Sequence, residues 1–453
     1  METIKAINEA TKIARLLLNE ESENPVLKHQ NKADYQALVD LSLTAYGCDE
    51  ASFFEALKEI VLLTPRTNSN SFFNQLFAGR SAPALSAEIL TSILNTTMHT
   101  YKVAGIQVLI EQEVVGKMLA KIGYKNGEAT MNPGGSMSNM VSMMVARNEK
   151  VATIAQSGFS GEKLIVYTSE EGHYSIRKNA QILGIGKENV RFVETDYDGR
   201  MDVNNLEYQV KEDLSKGFIP FYINATAGTT VFGVFDPFKE IAAIAKEYGL
   251  WLHIDGALGG SALMSAEHKH LLEGVELSDS FTWNAHKMMN VPISAAFLFL
   301  NKKGLLSKHL SEKADYLFQG EQEDLDLGNS SIQCGRRVDA FKVWAVWKYY
   351  GASGIEQRIN HLFDLAQYAA ACIEKEPSFK LFRTPESVNV CFTIEGVSAE
   401  AVCKKMHEEG LAMVGYSKSK GATFVRISFI NANLQYEDVD NFFEQVKKVS
   451  GLV

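Results

Sequence analysis

Two residues at the ends of short apolar segments could together carry out cofactor chemistry. Lys287 directly follows His286, just after the apolar run 280–283. Asp255 ends a second apolar run, 250–254, and small residues follow it. A lysine amine can form an imine with an aldehyde, and an aspartate can keep a pyridine nitrogen protonated so that the ring accepts electrons. The pair therefore predicts a site for pyridoxal phosphate.

Each of the two residues also has a purely structural interpretation. Most lysines are solvated surface groups, and an aspartate in this position could cap a helix. A histidine before Lys287, in an apolar segment of low charge, favours the functional interpretation. Asp255 at the end of an apolar strand would cost stability without a counter-charge, which a protonated pyridine supplies. Burial would also lower the pKa of the Lys287 amine, as imine formation requires.

A glycine-rich turn upstream could hold the phosphate. Gly135 and Ser136 stand in Asn-Pro-Gly-Gly-Ser-Met-Ser-Asn, before the helix-like run 140–147. Glycine lets the backbone approach a phosphate, and a helix N-terminus offers free N–H groups at the positive end of its dipole. A capped helix after an ordinary turn is the alternative. The presence of Lys287 further along the chain favours the phosphate site.

Two further segments follow apolar runs and could contact the cofactor. His173 could stack on a pyridine ring and also act as an acid or base, although a lone loop histidine is more often simply solvated. Thr226 lies in Asn-Ala-Thr-Ala-Gly-Thr-Thr, whose hydroxyls and glycine could face the cofactor. A local turn with capping threonines is the alternative for that segment.

The pattern around these residues predicts the elements that position them. From about residue 85 to 345, short apolar runs alternate with helix-like stretches such as 237–248, which indicates a mostly parallel sheet covered by helices. The strand candidates are 163–167, 190–193, 218–223, 250–254, 281–283 and 295–300. Ligands of such α/β sheets bind at the carboxyl ends of the strands, where Asp255 and Lys287 would lie.

Three segments are expected along the chain. Residues 1–84 form an N-terminal helical arm, with apolar residues at helical spacing and too little core to fold alone. Residues 85–350 form the large α/β domain, and residues 351–453 form a small α+β domain after a hinge-like Gly-Ala-Ser-Gly at 351–354. We expect the arm to pack on a partner subunit.

The composition excludes several classes of protein. The 453 residues are 46% hydrophobic and 22% charged, with a net charge of −10, which argues against nucleic acid as a partner. The five cysteines show no Cys-x-x-Cys spacing, so neither a disulfide framework nor a zinc site is expected. No signal peptide or membrane helix is evident, which predicts a cytoplasmic protein without membrane contact.

Eight phrases in order make the chain resemble the group II pyridoxal phosphate-dependent amino-acid decarboxylases, in particular the branch of glutamate decarboxylase and cysteine sulfinate decarboxylase. The phrases are Phe72-Phe-Asn-Gln75-Leu, Pro133-Gly-Gly-Ser-Met-Ser-Asn-Met140, His173-Tyr-Ser-Ile-Arg-Lys178, Asn224-Ala-Thr-Ala-Gly-Thr-Thr230, Trp251-Leu-His-Ile-Asp255, Asn284-Ala-His-Lys-Met288, Tyr316-Leu-Phe-Gln319 and Gln333-Cys-Gly-Arg-Arg-Val-Asp339. The resemblance spans nearly the whole chain. It implies the aspartate aminotransferase type I fold and a homodimer with active sites at the subunit interface.

The resemblance also implies roles for single residues. Lys287 would be the imine lysine, Asp255 the partner of the pyridine nitrogen and His173 the stacking histidine. Ala257 would pack on the opposite ring face and Thr226 would lie near the cofactor oxygen. The phosphate contacts would come from Gly135, Ser136, Asn284 and His286. Tyr316 would protonate the carbon left after CO₂ departs, which favours plain decarboxylation over an oxidative branch that carries phenylalanine there.

The substrate-side residues combine matches with departures. Arg426 matches an arginine that pairs with the substrate carboxylate in the acidic-substrate branch, and Gln75 matches a nearby amide; a guanidinium suits a carboxylate or sulfinate. His99 stands where the branch has an aromatic residue and could add positive charge for a second acidic group. The other departures, around the entrance and the side-chain pocket, are Leu258, Lys102, Gly105 and Asn70-Ser71.

The expected function is therefore pyridoxal phosphate-dependent α-decarboxylation of an amino acid with an acidic side chain. Glutamate, aspartate, cysteine sulfinate and cysteate are equally compatible with the sequence. Transamination, decarboxylation of an aromatic or basic amino acid, and a non-catalytic binding subunit are the alternatives. The presence of Lys287, Asp255, His173 and Tyr316 together argues against the non-catalytic subunit.

Overall fold

Two units make up the fold in a computed structural model of the chain, and each draws on more than one chain segment. The structure describes all residues except 24, 25, 27, 28, 313, 315, 317, 319–324 and 453. The larger unit comprises residues 80–366 with 385–389, and the smaller comprises residues 1–79, 367–384 and 390–453. The segment predicted as a separate arm, 1–84, thus groups almost entirely with the C-terminal residues.

The strands form two sheets. Those of the larger unit are β1 (Glu128–Asn132), β2 (Leu164–Ser169), β3 (Val190–Val193), β4 (Ile219–Thr226), β5 (Trp251–Gly256), β6 (Ser280–Asn284) and β7 (Ala296–Leu300). The remaining strands are β8 (Phe379–Leu381), β9 (Asn389–Ile394), β10 (Gly415–Ser419) and β11 (Ala422–Ser428). The first sheet has the order β1-β7-β6-β5-β4-β2-β3 and the second β10-β11-β9-β8.

The helices alternate with these strands through the larger unit. The α-helices are α1 (Thr3–Glu23), α2 (Lys32–Leu38), α3 (Glu50–Leu63), α4 (Ala82–Leu94), α5 (Tyr101–Ala104), α6 (Ile106–Ile122), α7 (Gly135–Lys150), α8 (Ile154–Ser157), α9 (Ser175–Ile182), α10 (Val203–Ser215), α11 (Phe238–Tyr248), α12 (Leu305–Leu310), α13 (Ala340–Lys375), α14 (Ala399–Glu408) and α15 (Tyr436–Ser450). Short 3-10 helices lie at Lys187–Asn189, Gly259–Met264, Lys269–Leu272, Val275–Leu277 and Leu327–Ser330. Within the described residues, no helix has the length and apolar character needed to cross a membrane.

The large sheet confirms the predicted α/β architecture. Five neighbouring strands, β6-β5-β4-β2-β3, run parallel, and β7 pairs antiparallel with both β6 and β1. All six predicted strands are present, with ends that differ by up to three residues. Sequence reasoning missed β1, because Glu-Ala-Thr-Met-Asn lacks the continuous apolar run that marks the other strands.

Helix α7 supports the centre of this sheet. It contacts β4, β5, β6 and β7. Val141 and Val145 pack against Leu298 and Leu300 of β7 in one apolar cluster. Two turns of helix therefore rest on buried side chains, and this support fixes the position of the N-terminus of α7 at the sheet edge.

The smaller unit contains more strands than the sequence predicted. Its sheet includes β8 and β10, which are too short or too polar to read as strands, while β9 and β11 match the predicted pair. Residues near position 72 are held to this unit because Phe73 N–H donates to the Met413 carbonyl (2.8 Å) and Ser428 N–H donates to the Phe73 carbonyl (3.0 Å). None of the residues of α1, α2 or α3 is fully buried.

The predicted hinge falls inside α13. Gly351 has φ 66° and ψ 177°, so two helical segments meet there at a kink. A glycine meets this backbone requirement without steric cost, since a positive φ disfavours residues with a side chain. The boundary between the two units lies further along the same helix, between residues 366 and 367.

Candidate active site

Three parallel strands bring their carboxyl ends together at a cavity of about 250 Å³. Register pairs Thr226 of β4 with Asp255 of β5, and Asp255 with Thr282 of β6. The lining residues are Gly134, Gly135, Ser136, Asn139, His173, Tyr174, Thr226, Gly228, Thr230, Asp255, Ala257, Leu258, Asn284, His286 and Lys287. The cavity thus lies where ligands of α/β sheets bind.

Asp255 presents an oriented carboxylate to the cavity. It is 5% exposed. Its Oδ1 accepts from the Ala257 backbone N–H (3.1 Å), and its Oδ2 accepts from Asn139 Nδ2 (2.7 Å). Two donors stabilise the charged form of a buried carboxylate and fix its direction, so a cationic group in the cavity would meet a preorganised anion.

A neutral histidine lies behind Asp255. His253 is fully buried in β5, and this burial lowers its pKa to about 4, against the opposing attraction of Asp255. Its Nδ1 lies 2.8 Å from Ser280 Oγ and its Nε2 lies 3.1 Å from Asn139 Oδ1. Both ring nitrogens have partners, which is what allows an imidazole inside an otherwise apolar strand.

His173 stands in the loop after β2 and is uncharged near neutral pH. Burial lowers its pKa and the charge of Lys287 lowers it further, while Asp255 opposes the shift. Its Nδ1 accepts from the Ser175 backbone N–H (3.3 Å) and lies 2.8 Å from Ser175 Oγ, so the ring proton lies on Nε2. A Cβ on Gly172 would lie 2.3 Å from Thr168 Oγ1, so this tight loop requires glycine.

Lys287 lies in the turn between β6 and β7. It is partly buried and lines the cavity. Its backbone N–H donates to the Asn284 carbonyl (3.2 Å), and its carbonyl accepts from Asn290 N–H (3.0 Å). The neighbouring His286 accepts at Nδ1 from Ala295 N–H (3.0 Å). Burial, and next the charge of Lys287, lower the pKa of His286 to about 4, so this ring adds no charge at neutral pH.

The N-terminus of α7 offers its backbone to the cavity. Gly134 precedes the helix with φ 135°, and no side chain caps the first turn. Asn179 Nδ2 donates to the Ser136 carbonyl (2.9 Å) and holds that turn in place. A Cβ on Gly135 would lie 2.9 Å from Asn284 Nδ2 and 3.3 Å from the Ala257 Cβ. The uncapped N–H groups and this close packing fit an anion such as a phosphate.

Two polar atoms at the cavity have no partner within the described part of the protein. They are Thr226 Oγ1 and Asn284 Oδ1, both buried. The backbone N–H of Thr226 is already satisfied by Asp236 Oδ2 (2.7 Å). Because buried polar groups are nearly always hydrogen-bonded in native proteins, these atoms indicate that the cavity receives a polar ligand.

The structure brings all nine of the sequence-predicted cofactor residues into one cavity. These are Gly135, Ser136, His173, Thr226, Asp255, Ala257, Asn284, His286 and Lys287. Tyr316 is 78% exposed and does not line the cavity. Leu317 and Gln319, from the same matching phrase, lie outside the described residues. The structure therefore leaves the role of Tyr316 a prediction.

The predicted substrate residues are not among those that line the cavity. Arg426 and Gln75 belong to the smaller unit, where Arg426 Nη1 donates to the Asn74 carbonyl (2.6 Å) and Gln75 is exposed. Burial lowers the pKa of the Arg426 guanidinium, which nevertheless stays protonated. His99 is 9% exposed and its ring lies 5.2 Å from that of Phe318. Neither ring nitrogen of His99 has a hydrogen-bond partner among the residues described.

Sequence reasoning missed the residues that support the cavity from behind. Asn139 was part of a matching phrase without a role, and His253 was taken as part of an apolar run. The helical spacing of Ser136 and Asn139 places both on one face of α7, and this spacing could have indicated Asn139. Nothing in the sequence alone pairs His253 with Asn139. Leu258, noted as a departure, lines the cavity.

Known proteins share both the sequence and the fold. Residues 34–395 match the family model described as the pyridoxal-dependent decarboxylase conserved domain. The acidic amino acid decarboxylase GADL1 of Mus musculus is 40% identical over 444 residues, covering 93% of this chain and 81% of that protein. The human cysteine sulfinic acid decarboxylase is 36% identical over 447 residues, covering 94% and 91%.

The structural comparison agrees with the sequence comparison. The crystal structure of mouse CSAD superposes with a TM-score of 0.93 at 34% identity, covering 99% of each chain. This likeness confirms the predicted fold of the aspartate aminotransferase type. The chain therefore belongs to the pyridoxal-dependent decarboxylase family, and it is a carboxy-lyase whose cofactor is pyridoxal phosphate.

Proposed function

We propose that the protein removes the α-carboxylate of an acidic amino acid, giving the amine and CO₂, with glutamate, aspartate, cysteine sulfinate or cysteate as the substrate. The observation that carries the proposal is the convergence of the buried Asp255 and the partly buried His173 and Lys287 on one cavity. The preference for a substrate with an acidic side chain is supported by similarity to two relatives, an acidic amino acid decarboxylase and a cysteine sulfinic acid decarboxylase.

The cavity offers a complementary group for each part of pyridoxal phosphate. The uncapped N-terminus of α7, with Gly135 and Ser136, would bind the phosphate, and Asn284 and His286 would complete that site. Asp255 would pair with the ring nitrogen. Thr226 Oγ1, which has no hydrogen-bond partner among the described residues, would form a hydrogen bond with the ring oxygen of the cofactor. Lys287 would bond to the aldehyde carbon, and His173 and Ala257 would contact the ring faces.

The chain's own residues would then act in sequence. When bound, pyridoxal phosphate supplies an electron sink for the pair left by departing CO₂. The Asp255 carboxylate would stabilise the positive ring nitrogen, which would keep that sink effective. His173 carries its proton on Nε2 and could donate it to the substrate. Lys287 would hold the cofactor aldehyde when no substrate is bound, and its amine would be exchanged for the substrate amine and restored when the product leaves.

Tyr316 is our proposed proton donor to the substrate carbon after CO₂ leaves. The support is the resemblance of its sequence phrase, since its side chain is exposed and lies outside the cavity lining. A phenol O–H is a suitable proton donor for a carbanionic carbon. In air-saturated buffer, Tyr316→Phe should divert the reaction from amine toward aldehyde, with O₂ as the oxidant and ammonia and H₂O₂ as the other products, which product analysis can measure.

Recognition of the acidic side chain would depend on Arg426, Gln75 and His99. Arg426 carries a fixed charge, and its Nη1 is anchored to the Asn74 carbonyl, so the guanidinium is oriented. His99 keeps two buried ring nitrogens without partners among the described residues, and a protonated ring could pair with an acidic group. These roles are proposals that rest on the resemblance and on these local contacts.

We further propose a homodimer, with a second copy of this chain as the partner. In the larger unit, Ile93, Val103 and Ile106 are 55%, 57% and 69% exposed and lie close together in the chain. In the smaller unit, Ile4 of α1 is 74% exposed, and no residue of that helix is buried. Exposed apolar groups in this density are typical of an interface. The cytoplasmic location predicted from the sequence belongs to the same proposal.

A substrate screen tests the proposed reaction. Purified holo-protein is offered glutamate, aspartate, cysteine sulfinate and cysteate, with an aromatic and a basic amino acid beside them, and both CO₂ and keto acid are measured. CO₂ without keto acid from an acidic substrate supports the proposal, whereas keto acid formation would favour transamination.

The same screen with Arg426→Ala tests the basis of specificity. Loss of one charged hydrogen-bonded pair should lower kcat/KM for acidic substrates by about 10- to 100-fold. Lys404→Ala, an exposed cation in the same unit that pairs with Glu408, serves as the matched control and should change nothing. An Arg426→Ala protein that keeps its preference for acidic substrates contradicts this part of the proposal.

A further inference from the structure

Asn139 connects groups on several sides of the cavity. Its Nδ2 donates to Asp255 Oδ2 (2.7 Å) and to Ser175 Oγ (3.3 Å). Its Oδ1 accepts from Thr282 Oγ1 (2.9 Å) and lies 3.1 Å from His253 Nε2. Asn139 is 1% exposed, so water does not compete for these bonds.

The partners of Asn139 determine which end of its amide faces Asp255. His253 is neutral, because burial lowers its pKa to about 4. Its Nδ1 lies 2.8 Å from Ser280 Oγ and can accept from that hydroxyl, which leaves the proton on Nε2 to donate to Asn139 Oδ1. The hydroxyl of Thr282 donates to the same oxygen. The amide oxygen is thus occupied from behind, and the amide N–H groups point toward the carboxylate.

The same amide reaches His173 through one intermediate residue. Ser175 Oγ lies 3.3 Å from Asn139 Nδ2 and 2.8 Å from His173 Nδ1. A hydroxyl that accepts from the amide can donate to Nδ1, which keeps the His173 proton on Nε2. Asp255 in β5 and His173 in the loop after β2 are therefore joined by a continuous chain of hydrogen bonds.

We propose that Asn139 is a positioning residue that stabilises the negative charge of the Asp255 carboxylate and turns it toward the cavity, and that it sets the protonation pattern of His173. The inference rests on the roles given to Asp255 and His173 in the proposed function. An amide suits this position because it donates to a carboxylate without adding charge. A carboxylate in its place would lie within hydrogen-bond distance of Asp255 and compete with it for a proton.

Cofactor affinity as a function of pH tests the inference without any substrate. Apo-protein is titrated with pyridoxal phosphate from pH 6 to 9, and Kd is read from protein fluorescence. In Asn139→Leu, the Asp255 carboxylate loses a donor that stabilises its negative charge, so protons compete with the ring nitrogen for it more effectively at low pH. We expect Kd to increase by about 10- to 100-fold at pH 6 and by clearly less at pH 9.

Two aspartate variants, one at Asn139 and one at a control position, show whether the effect on cofactor affinity is specific to Asn139. Asn139→Asp, nearly the same size, should weaken binding in the same direction and extend the weakening to higher pH, because the two carboxyls share a proton. Asn148→Asp makes the same change in a buried amide at the other end of α7, which accepts from Arg147 Nε (3.1 Å), and should bind like the parent. The visible absorbance band of the holo-protein, followed through the same pH range, gives a second readout.

The possible results distinguish a failure of the role proposed for Asn139 from a failure of the role proposed for Asp255. If Asp255→Asn weakens binding while Asn139→Leu binds within twofold of the parent at every pH, the inference is wrong and the role of Asp255 stands. An equal weakening of Asn139→Leu at all pH values would mean that Asn139 only fills space, which also overturns the inference. If Asp255→Asn binds like the parent, the role given to Asp255 fails, and the inference fails with it.

Discussion

Replacing Gly135 with alanine sets two effects of similar size against each other. Alanine is favoured over glycine in a helix by about 1 kcal/mol. The new methyl group would lie 2.9 Å from Asn284 Nδ2, 3.2 Å from Asn284 Oδ1 and 3.3 Å from the Ala257 Cβ. Overpacking of this kind costs about 1–3 kcal/mol, so the strain outweighs the helix propensity.

The strain introduced by Gly135→Ala should weaken cofactor binding more than it lowers the stability of the fold. Asn284 and Ala257 both line the cavity, and Asn284 can relieve the contact by moving a few tenths of an ångström away from the proposed phosphate. The gain in helix propensity leaves the apo-protein close to parental stability. We therefore expect the Kd for pyridoxal phosphate to rise about 5- to 30-fold, corresponding to about 1–2 kcal/mol. Fluorescence titration of the apo-protein measures Kd, and urea denaturation measures stability.

A matched glycine provides the control. Gly116 lies inside α6, is exposed, and a Cβ there would meet nothing within 4 Å. Gly116→Ala should raise the free energy of unfolding by about 0.5–1 kcal/mol and leave cofactor affinity unchanged. A Gly135→Ala protein that binds pyridoxal phosphate as tightly as the parent would refute the placement of the phosphate at the N-terminus of α7.

Three further predictions concern single residues of the larger unit. Lys287→Ala should abolish the visible absorbance band of the bound cofactor and lower CO₂ release by at least about 100-fold, measured in the spectrum and in single-turnover assays. Gly228→Ala should destabilise the protein by about 2 kcal/mol or more in urea denaturation, because Gly228 has φ +80° and a Cβ would lie 2.9 Å from the Gly259 backbone nitrogen; a parental unfolding midpoint would contradict this. Burial raises the pKa of Asp236 from 3.8 to about 7. The unfolded chain therefore loses this proton first as the pH rises, and the free energy of unfolding should fall by up to about 4 kcal/mol between pH 4 and 7. Asp236→Asn should remove that decline, and identical pH profiles of the two proteins would show that Asp236 is already ionised in the folded state.

Local patterns predicted the elements that carry strong periodic signals. The six buried strands around Asp255 were found because uninterrupted apolar runs mark strands covered on both faces. Strand β1 was missed because its sequence is mixed, and it is specified by antiparallel pairing with β7 rather than by its own residues. Strand β10 was missed for a related reason: its polar sequence alternates between partly buried and exposed residues.

The cavity was predictable where the chemistry depends on residue type and strand ends. Lys287, Asp255 and Thr226 follow this logic, and the structure places them together. The residues that hold these side chains in place were not predictable, since the contact of Asn139 with His253 joins residues far apart in the chain. Such long-range pairs depend on packing geometry, which a single sequence does not display.

The composition of the smaller unit also constrains how the protein folds during synthesis. Residues 1–79 share this unit with residues 390–453, and the Phe73 N–H that pairs with the Met413 carbonyl is made early while its acceptor is made late. The N-terminal segment emerges from the ribosome long before its partners and must wait with apolar groups such as Phe73, which is 1% exposed in the folded protein, not yet covered. Contacts of such large sequence separation form slowly. Completion of the smaller unit therefore waits for residues 390–453, and removing these residues should leave the first helices without a folded neighbour.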